Sequence, residues 1–216
     1  MQEPSGETGK GKRIALDLAA MPRYRVGVNP VEIVASLLLL ANIALVARRS
    51  IWNYPVGIAA VLLYASVFYG AKLYSDMLLQ GLFLALNLYG WLNWARARAL
   101  TGEVQVLTLG WTGRIAWIAG CAVATMAWGT LMHRFTDASL PWWDAAVAMT
   151  SIAAQILLSR RYLENWVLWI LVDIVAVPLF AIRELWLTAG VYLVLLVVSG
   201  WGLIDWERAF RRRAAP

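Results

Sequence analysis

Long apolar runs alternate with short polar intervals along most of the chain. Each run contains about 17 to 21 residues, close to the 20 or so that a helix needs to cross the roughly 30 Å hydrocarbon core of a bilayer. Trp and Tyr gather at the ends of the runs, where their amphipathic rings favour the headgroup zone. The pattern predicts an all-α membrane protein with seven transmembrane helices, at residues 30–47, 51–70, 74–94, 112–132, 142–158, 164–182 and 186–206.

The chain also matches itself when it is shifted by 112 residues. The shift pairs polar and glycine positions without a gap: Arg48 and Arg49 with Arg160 and Arg161, Asn53 with Asn165, Gly90 with Gly202, and Trp94 with Trp206. A unit of three helices begins and ends on opposite sides of the membrane. Two copies in the same orientation therefore need one further helix between them. The pattern predicts a 3+1+3 parallel internal repeat, an arrangement typical of transporters whose substrate site lies between the halves.

This repeat defines the expected domain organisation. A single transmembrane domain covers residues 29–210, with repeat one at 29–94, a linker helix at 112–132 and repeat two at 142–206. Residues 207–216 form a basic C-terminal tail, and residues 1–28 a polar tail that we expect to be mobile. The tail segment 6–12 resembles a phosphate-binding loop, but Arg13 stands where that motif needs Ser or Thr.

Basic residues predict the orientation. One side of the membrane carries eleven Lys and Arg residues next to the spans and the other carries three, Lys72, Arg134 and Arg183. The richer side should be cytoplasmic, which places the C-terminus inside. Five further basic residues in the N-terminal tail then lie outside, against the rule.

Composition excludes several classes of function. Apolar residues make up 61% of the chain and charged residues 15%, against about 25% charged in a soluble domain. The net charge of +6 resides beside the spans and in the tails, so nucleic-acid binding is not expected. One His and one Cys, His133 and Cys121, cannot form a zinc site. We therefore expect neither an enzyme nor a bound metal or cofactor.

Two stripes of polar and aromatic residues are the candidate substrate site. In the sixth span, Asn165, Trp169 and Asp173 follow one another at i, i+4 and i+8, with Trp166 beside them. In the third span, Gln80, Asn87, Trp91 and Trp94 lie within an arc of roughly 60°.

Asp173 is the one acid near the middle of a span, and a charge there is costly enough to suggest a function. Aromatic walls with amides suit a heteroaromatic ligand, and a nearby carboxylate suits a cationic one. The alternative is that amides and indoles hold helices together through hydrogen bonds worth about 0.6 kcal/mol each.

Four segments carry distinctive motifs: Trp52–Gly57, Leu73–Gln80 with its Leu-Tyr-x-Asp element, Tyr89–Trp94 with Tyr-Gly-Trp, and Glu164–Trp169, which contains Asn-Trp-x-x-Trp after a basic pair. In combination they resemble the PnuC family of nicotinamide riboside transporters. The likeness covers roughly residues 29–210.

The resemblance implies a seven-helix, SWEET-like bundle in the bacterial inner membrane, assembled as a homotrimer. It implies facilitated diffusion of a small vitamin, trapped inside by phosphorylation, with Gln80, Asn165, Trp166 and Trp169 at positions of the family's ligand contacts or motif. Relatives carry thiamine or riboflavin, so these substrates remain alternatives to nicotinamide riboside. A membrane enzyme or a sensory subunit is a more distant alternative.

Overall fold

The computed structural model describes residues 30–70, 74–136, 140–182 and 186–214, which form seven α-helices. The helices are α1 (Pro30–Ala47), α2 (Asn53–Gly70), α3 (Tyr74–Thr101), α4 (Trp111–Phe135), α5 (Pro141–Ser159), α6 (Glu164–Ile182) and α7 (Trp186–Ala214). The seven predicted helices are confirmed. The predicted N-terminal tail, 1–28, lies outside the described residues.

Four helices meet both criteria for crossing a membrane, length and apolar composition. They are α1, α2, α4 and residues 189–213 of α7, judged over the described residues. Helices α3 and α7 run beyond the predicted ends of their apolar runs, to Thr101 and Ala214. In α3 the extension consists of Ala, Arg and Leu, which favour a helix, and it stops at Gly102, whose φ of +78° is typical of a helix C-terminus.

Six of the helices form a closed ring. Each helix of the ring contacts the next in the order α1, α2, α3, α5, α6, α7, and α7 contacts α1 again. Helix α4 packs outside the ring against α5. Within the described part of the chain, no two backbones are in contact across the ring, although the side chains of Trp94 on α3 and Trp206 on α7 meet across it, with 5.8 Å between their ring centroids. The backbones of α2 and α6 therefore face each other across its centre without touching. A polar site between helices of a bundle would lie in this space.

The turns after α1 and α5 have the same hydrogen bonds. Each is a Schellman motif: Ser50 N donates to Leu45 O, and Tyr162 N to Leu157 O, both at 2.9 Å. Arg49 and Arg161 occupy the left-handed position, with φ of 54° and 67°.

Two tryptophans form equivalent hydrogen bonds between the two halves of the molecule. Trp94 Nε1 donates to Leu158 O and Trp206 Nε1 to Val46 O, each at 3.1 Å. The two donors are 112 residues apart in the sequence, and so are the two acceptors. Each indole thereby caps a helix end of the opposite half, and both belong to the buried core of the molecule.

An extended segment, residues 103–109, crosses this end of the ring, and we refer to it as the strap. Val104 and Val106 are buried in the core while the residues between and around them are more exposed, the alternation of an extended chain. Leu107 N donates to Arg161 O at 2.9 Å, and Leu163 N donates to Leu107 O at 2.8 Å. The strap is thus hydrogen-bonded to the turn that leads into α6.

Candidate functional site

The first turn of α6 holds a buried amide with one unused acceptor. Asn165 is fully buried, and its Nδ2 donates to Tyr162 O at 2.6 Å, which ties the side chain to the preceding turn. Its Oδ1 has no hydrogen-bond partner among the described residues. Because an unpaired buried acceptor costs about 1–3 kcal/mol, this oxygen is a ready site for a ligand N–H or O–H.

Trp169 lies one helical turn further on. The indole is half-buried, and its Nε1 is buried without a partner in the described structure. Asn165 and Trp169 therefore present an acceptor and a donor on one face of α6. This geometry can hold a planar ligand that has both N–H and C=O groups at its edge.

Trp166 points elsewhere, into an aromatic cluster formed by Tyr54, Trp94, Trp166 and Trp206. Its ring centroid lies 5.8 Å from that of Trp206, which lies 5.8 Å from Trp94, and Trp94 lies 5.3 Å from Tyr54. Trp166 is fully buried, and its Nε1 also lacks a partner among the described residues. The aromatic cluster belongs to the buried core, and Trp169 packs against that core, so Trp166 lies in the core beside the candidate site.

Asp173 ends the stripe one further turn along α6. It is 2% exposed, and its Oδ2 accepts a hydrogen bond from Ser199 Oγ of α7 at 3.1 Å. The predicted i, i+4, i+8 stripe thus has its two ends buried and its middle half-buried, on the inner side of the bundle. Ser199, which sequence reasoning did not select, completes it.

A second polar group lies on the facing half, around Gly57 of α2. A Cβ at Gly57 would come 2.6 Å from Asn42 Nδ2 on α1 and 3.1 Å from Asn87 Oδ1 on α3. Since Gly57 approaches both flanking helices, this part of α2 faces into the ring. Asn42 donates to Asn53 O at 2.6 Å and Asn87 to Phe83 O at 2.8 Å.

The structure divides the predicted stripe of α3. Asn87 and Trp94 are buried and Gln80 is half-buried, but Trp91 is 38% exposed and lies next to the exposed Leu92. Asn87 therefore lies in the interior of the bundle, whereas Trp91 lies at its edge. Asn42 was not predicted, although a lone amide within the apolar run 30–47 was the signal that could have found it.

Part of the buried polar surface does join helices, as the alternative predicted. Ser159 Oγ donates to Leu86 O at 3.1 Å, and Asn93 Nδ2 donates to Ser159 O at 2.8 Å. With the bond from Trp94 Nε1 to Leu158 O, three such bonds hold α3 and α5 together. Asn165 and Trp169 differ because Asn165 Oδ1 and Trp169 Nε1 have no hydrogen-bond partner in the described structure. No group of three or more His, Cys, Asp and Glu residues suited to a metal occurs in the described ranges.

Beside the site, Arg161 stands in the turn between α5 and α6. Burial lowers the pKa of its guanidinium, and the nearby Tyr54 and Tyr162 oppose that effect. Its Nε has no hydrogen-bond partner in the described part of the chain. Glu164, at the start of α6, accepts hydrogen bonds from Arg114 Nε at 3.0 Å and Leu109 N at 3.1 Å. These contacts anchor α6 to the strap and to α4.

Comparison with known proteins places this architecture in a family. Residues 29–208 match the family model described as nicotinamide mononucleotide transporter. The chain is 27% identical over 210 residues to the nicotinamide riboside transporter PnuC of Escherichia coli strain K12, covering 86% of this chain and 88% of that one. It is 35% identical over 188 residues to the riboflavin/roseoflavin transporter RibM of Streptomyces davaonensis, with the same coverage.

A solved structure agrees with the sequence matches. The crystal structure of the vitamin B3 transporter PnuC aligns with a TM-score of 0.70 and 27% identity, covering 94% of this chain and 88% of that one. The fold, the family model and the relatives therefore lead to the same assignment. The chain belongs to the PnuC family, and it is a multi-pass membrane transporter rather than an enzyme.

Proposed function

We propose that this protein carries nicotinamide riboside across the bacterial inner membrane by facilitated diffusion, with phosphorylation trapping the substrate inside. Family membership supports transport, and the name of the E. coli relative supports the substrate. The main structural support for the site is that two buried atoms on one face of α6, Asn165 Oδ1 and Trp169 Nε1, have no hydrogen-bond partner among the described residues.

The chemistry of nicotinamide riboside fits these groups. Its ring is a flat cation with a carboxamide, and the attached ribose offers hydroxyl groups. Trp169 would stack on the ring or donate to the carboxamide oxygen, and Asn165 Oδ1 would accept from an N–H or O–H. Asp173, the one buried carboxylate among the described residues, would favour the positive charge. Gln80, Asn87 and Trp91 stay part of the proposal as the opposite wall, joined by Asn42.

We also propose that the bundle is a duplicated 3+1+3, SWEET-like unit with the substrate between its halves. Support comes from the matched turns at Arg49 and Arg161 and from the matched donors Trp94 and Trp206. The contacts α1 to α7 and α3 to α5 are equivalent under the same shift. The site itself is asymmetric, because Gly57 stands where the second half has Trp169. One half would supply the aromatic surface and the other the space for the ligand.

A homotrimer is the assembly that the resemblance implies, and we propose it here. The support in this chain is that α4 packs only against α5 in the described structure, apart from the contact of Arg114 with Glu164 at its first turn, which leaves most of α4 exposed. Lipid or a second copy can cover that surface. Native mass spectrometry of the detergent-solubilised protein measures the subunit number directly, and a single mass of about one chain would contradict the trimer.

Riboflavin is the second candidate substrate, favoured by the 35% identity to RibM. Its ring system is flat but uncharged, so Asp173 should distinguish the two cases. Asp173→Asn keeps the hydrogen bond with Ser199 and removes the charge. We expect this variant to bind nicotinamide riboside more weakly than the wild type and riboflavin equally well.

Calorimetric titration of monodisperse protein with nicotinamide riboside, riboflavin and thiamine tests the site. Trp169→Ala should weaken binding of nicotinamide riboside by up to about thirtyfold, since a desolvated cation–π contact contributes roughly 0.5–2 kcal/mol. Asn165→Ala should cost about 1–3 kcal/mol of binding. Unchanged affinity in both variants would remove α6 from the site.

Asn53→Ala is the matched control for Asn165→Ala. Asn53 Nδ2 donates to Ser50 O at 2.7 Å, the equivalent of the Asn165 bond to Tyr162, but among the described residues Asn53 Oδ1 is not one of the buried atoms without a partner. The two substitutions should lower the melting temperature by similar amounts, and only Asn165→Ala should lower the affinity. An equal loss of affinity in the two variants would indicate a purely structural amide.

A further inference from the structure

An open cleft lies at the basic end of the ring, where α1 and α3 end. Its volume is about 420 Å³, and it is lined chiefly by Arg48, Arg49, Ser50, Trp52, Arg98 and Glu103. Three guanidinium groups, two from the turn after α1 and one from α3, therefore line one opening that is separate from the candidate substrate site.

Two of these three cations are not neutralised. Arg49 is paired with Asp205 of α7, with Nη1 and Oδ2 2.5 Å apart. Neither Arg48 nor Arg98 forms an ion pair within the described ranges, and both side chains are exposed. Arg48 also lies 5.6 Å from the ring centroid of Trp201, a contact that leaves its charge in place. Glu103 is the one acid that lines the cleft.

Two exposed apolar residues accompany the cleft: Trp52, which lines it, and Leu100, two residues after the lining residue Arg98. Trp52 is 66% exposed and Leu100 is 84% exposed, and tryptophan favours the headgroup level of a bilayer. On the far side of Glu103 a second cleft of about 260 Å³ is lined by Arg212 and Arg213. The positive surface thus continues along the rim of the bundle, next to residues suited to contact acyl chains.

We propose that this cleft binds a phosphate group through Arg48, Arg98 and Ser50, and that an anionic phospholipid supplies it. Guanidinium groups match phosphate oxygens in charge and in their paired N–H geometry. Basic pockets between membrane helices are typical sites for anionic headgroups. The exposed Trp52 and Leu100 favour a lipid over a free phosphate, because a lipid has acyl chains to place against them.

Melting of the full-length protein in an uncharged detergent tests this proposal. Titration with dioctanoyl phosphatidylglycerol should raise the melting temperature saturably, and dioctanoyl phosphatidylcholine should not. Arg48→Gln and Arg98→Gln should each weaken the apparent affinity by about fivefold, the effect of one basic residue near an anionic surface. Glu103→Gln should strengthen it, because the substitution removes the one negative charge of the cleft.

Arg96→Gln is the matched control, since Arg96 is exposed on the same helix end but does not line the cleft. Inorganic phosphate at matched ionic strength forms the second arm. If inorganic phosphate stabilises the wild type and this effect is lost in Arg48→Gln and Arg98→Gln, the site is supported. Its ligand is then a free phosphate compound. Equal stabilisation by the two lipids, or an equal loss in Arg96→Gln, overturns the proposal.

Discussion

Arg49 and Arg161 occupy a backbone position that usually belongs to glycine. Both have positive φ in the turn that ends a helix, where a residue with a Cβ costs about 1–2 kcal/mol. Their side chains differ, because Arg49 is paired with Asp205 whereas Arg161 has a buried Nε without a partner in the described residues. The same strained backbone is therefore compensated by an ion pair in one half only.

This difference predicts the effect of glycine at the two positions. Arg161→Gly should raise the melting temperature, because it relieves the left-handed strain and removes a partly desolvated cation. Arg49→Gly should raise it less, since the substitution also breaks the ion pair with Asp205, a partly exposed contact worth about 0–1 kcal/mol. Differential scanning fluorimetry of both variants measures the order. A lower melting temperature for Arg161→Gly would mean that its guanidinium has a stabilising partner.

The candidate site could be predicted from sequence where it follows one helix. Asn165, Trp169 and Asp173 recur with the period of α6, so their common face is encoded locally. Ser199 could not be found that way, because its bond to Asp173 joins residues on different helices. Trp166 was selected for its place next to Trp169, but the close approach of α7 at Gly202 turns it into the aromatic cluster.

At the scale of helices, the spans were predictable and their ends were not. The length of an apolar run follows the thickness of the bilayer, whereas α3 and α7 continue past the ends of their apolar runs with more polar residues. The extension of α7 carries an i, i+4 ion pair between Glu207 and Arg211, which stabilises an exposed helix. The strap was not predicted, because its short extended segment is held by non-local bonds to the turn before α6.

Two glycines allow helices to approach the aromatic cluster. A Cβ at Gly202 of α7 would lie 2.5 Å from the Trp166 ring, and one at Gly90 of α3 would lie 2.6 Å from Tyr54 Oη. Gly202→Ala should therefore destabilise the protein by about 1–3 kcal/mol through overpacking.

Gly200→Ala serves as its control on the same helix, because a Cβ there meets nothing within 4 Å. Alanine favours a helix over glycine by up to about 1 kcal/mol, so this variant should keep or raise the melting temperature. If both variants melted at the wild-type temperature, the close contact between α7 and Trp166 would not contribute to stability.

At the scale of the whole molecule, the ring of six helices defines two ends. The end with Arg48, Arg49, Arg160 and Arg161 is closed by the aromatic cluster and crossed by the strap. The excess of basic residues predicts that this end faces the cytoplasm. Because α7 runs from residue 186 to this same end, the C-terminus should be cytoplasmic as well.

Reporter fusions test this orientation. A fluorescent protein fused after Pro216 should be bright, and alkaline phosphatase inserted at residues 183–185 should be active, since one requires the cytoplasm and the other the periplasm. Phosphatase activity from the fusion at Pro216 would contradict the orientation. Cysteine substitution at Arg134 provides a control, because its accessibility to an impermeant reagent should follow that of residues 183–185.

The energetics of transport follow from the distribution of charge in the bundle. Asp173 is the one buried carboxylate in the described structure, bonded to Ser199, whereas proton-driven carriers commonly use chains of ionisable groups within the membrane. We therefore expect proteoliposomes to equilibrate nicotinamide riboside without concentrating it. The final internal level should equal the external one, and a protonophore should change neither this level nor the initial rate. Asp173→Asn should lower the rate by weakening substrate binding while leaving the final level unchanged. Accumulation above the external concentration under an imposed proton or sodium gradient, abolished in Asp173→Asn, would instead assign ion coupling to this carboxylate.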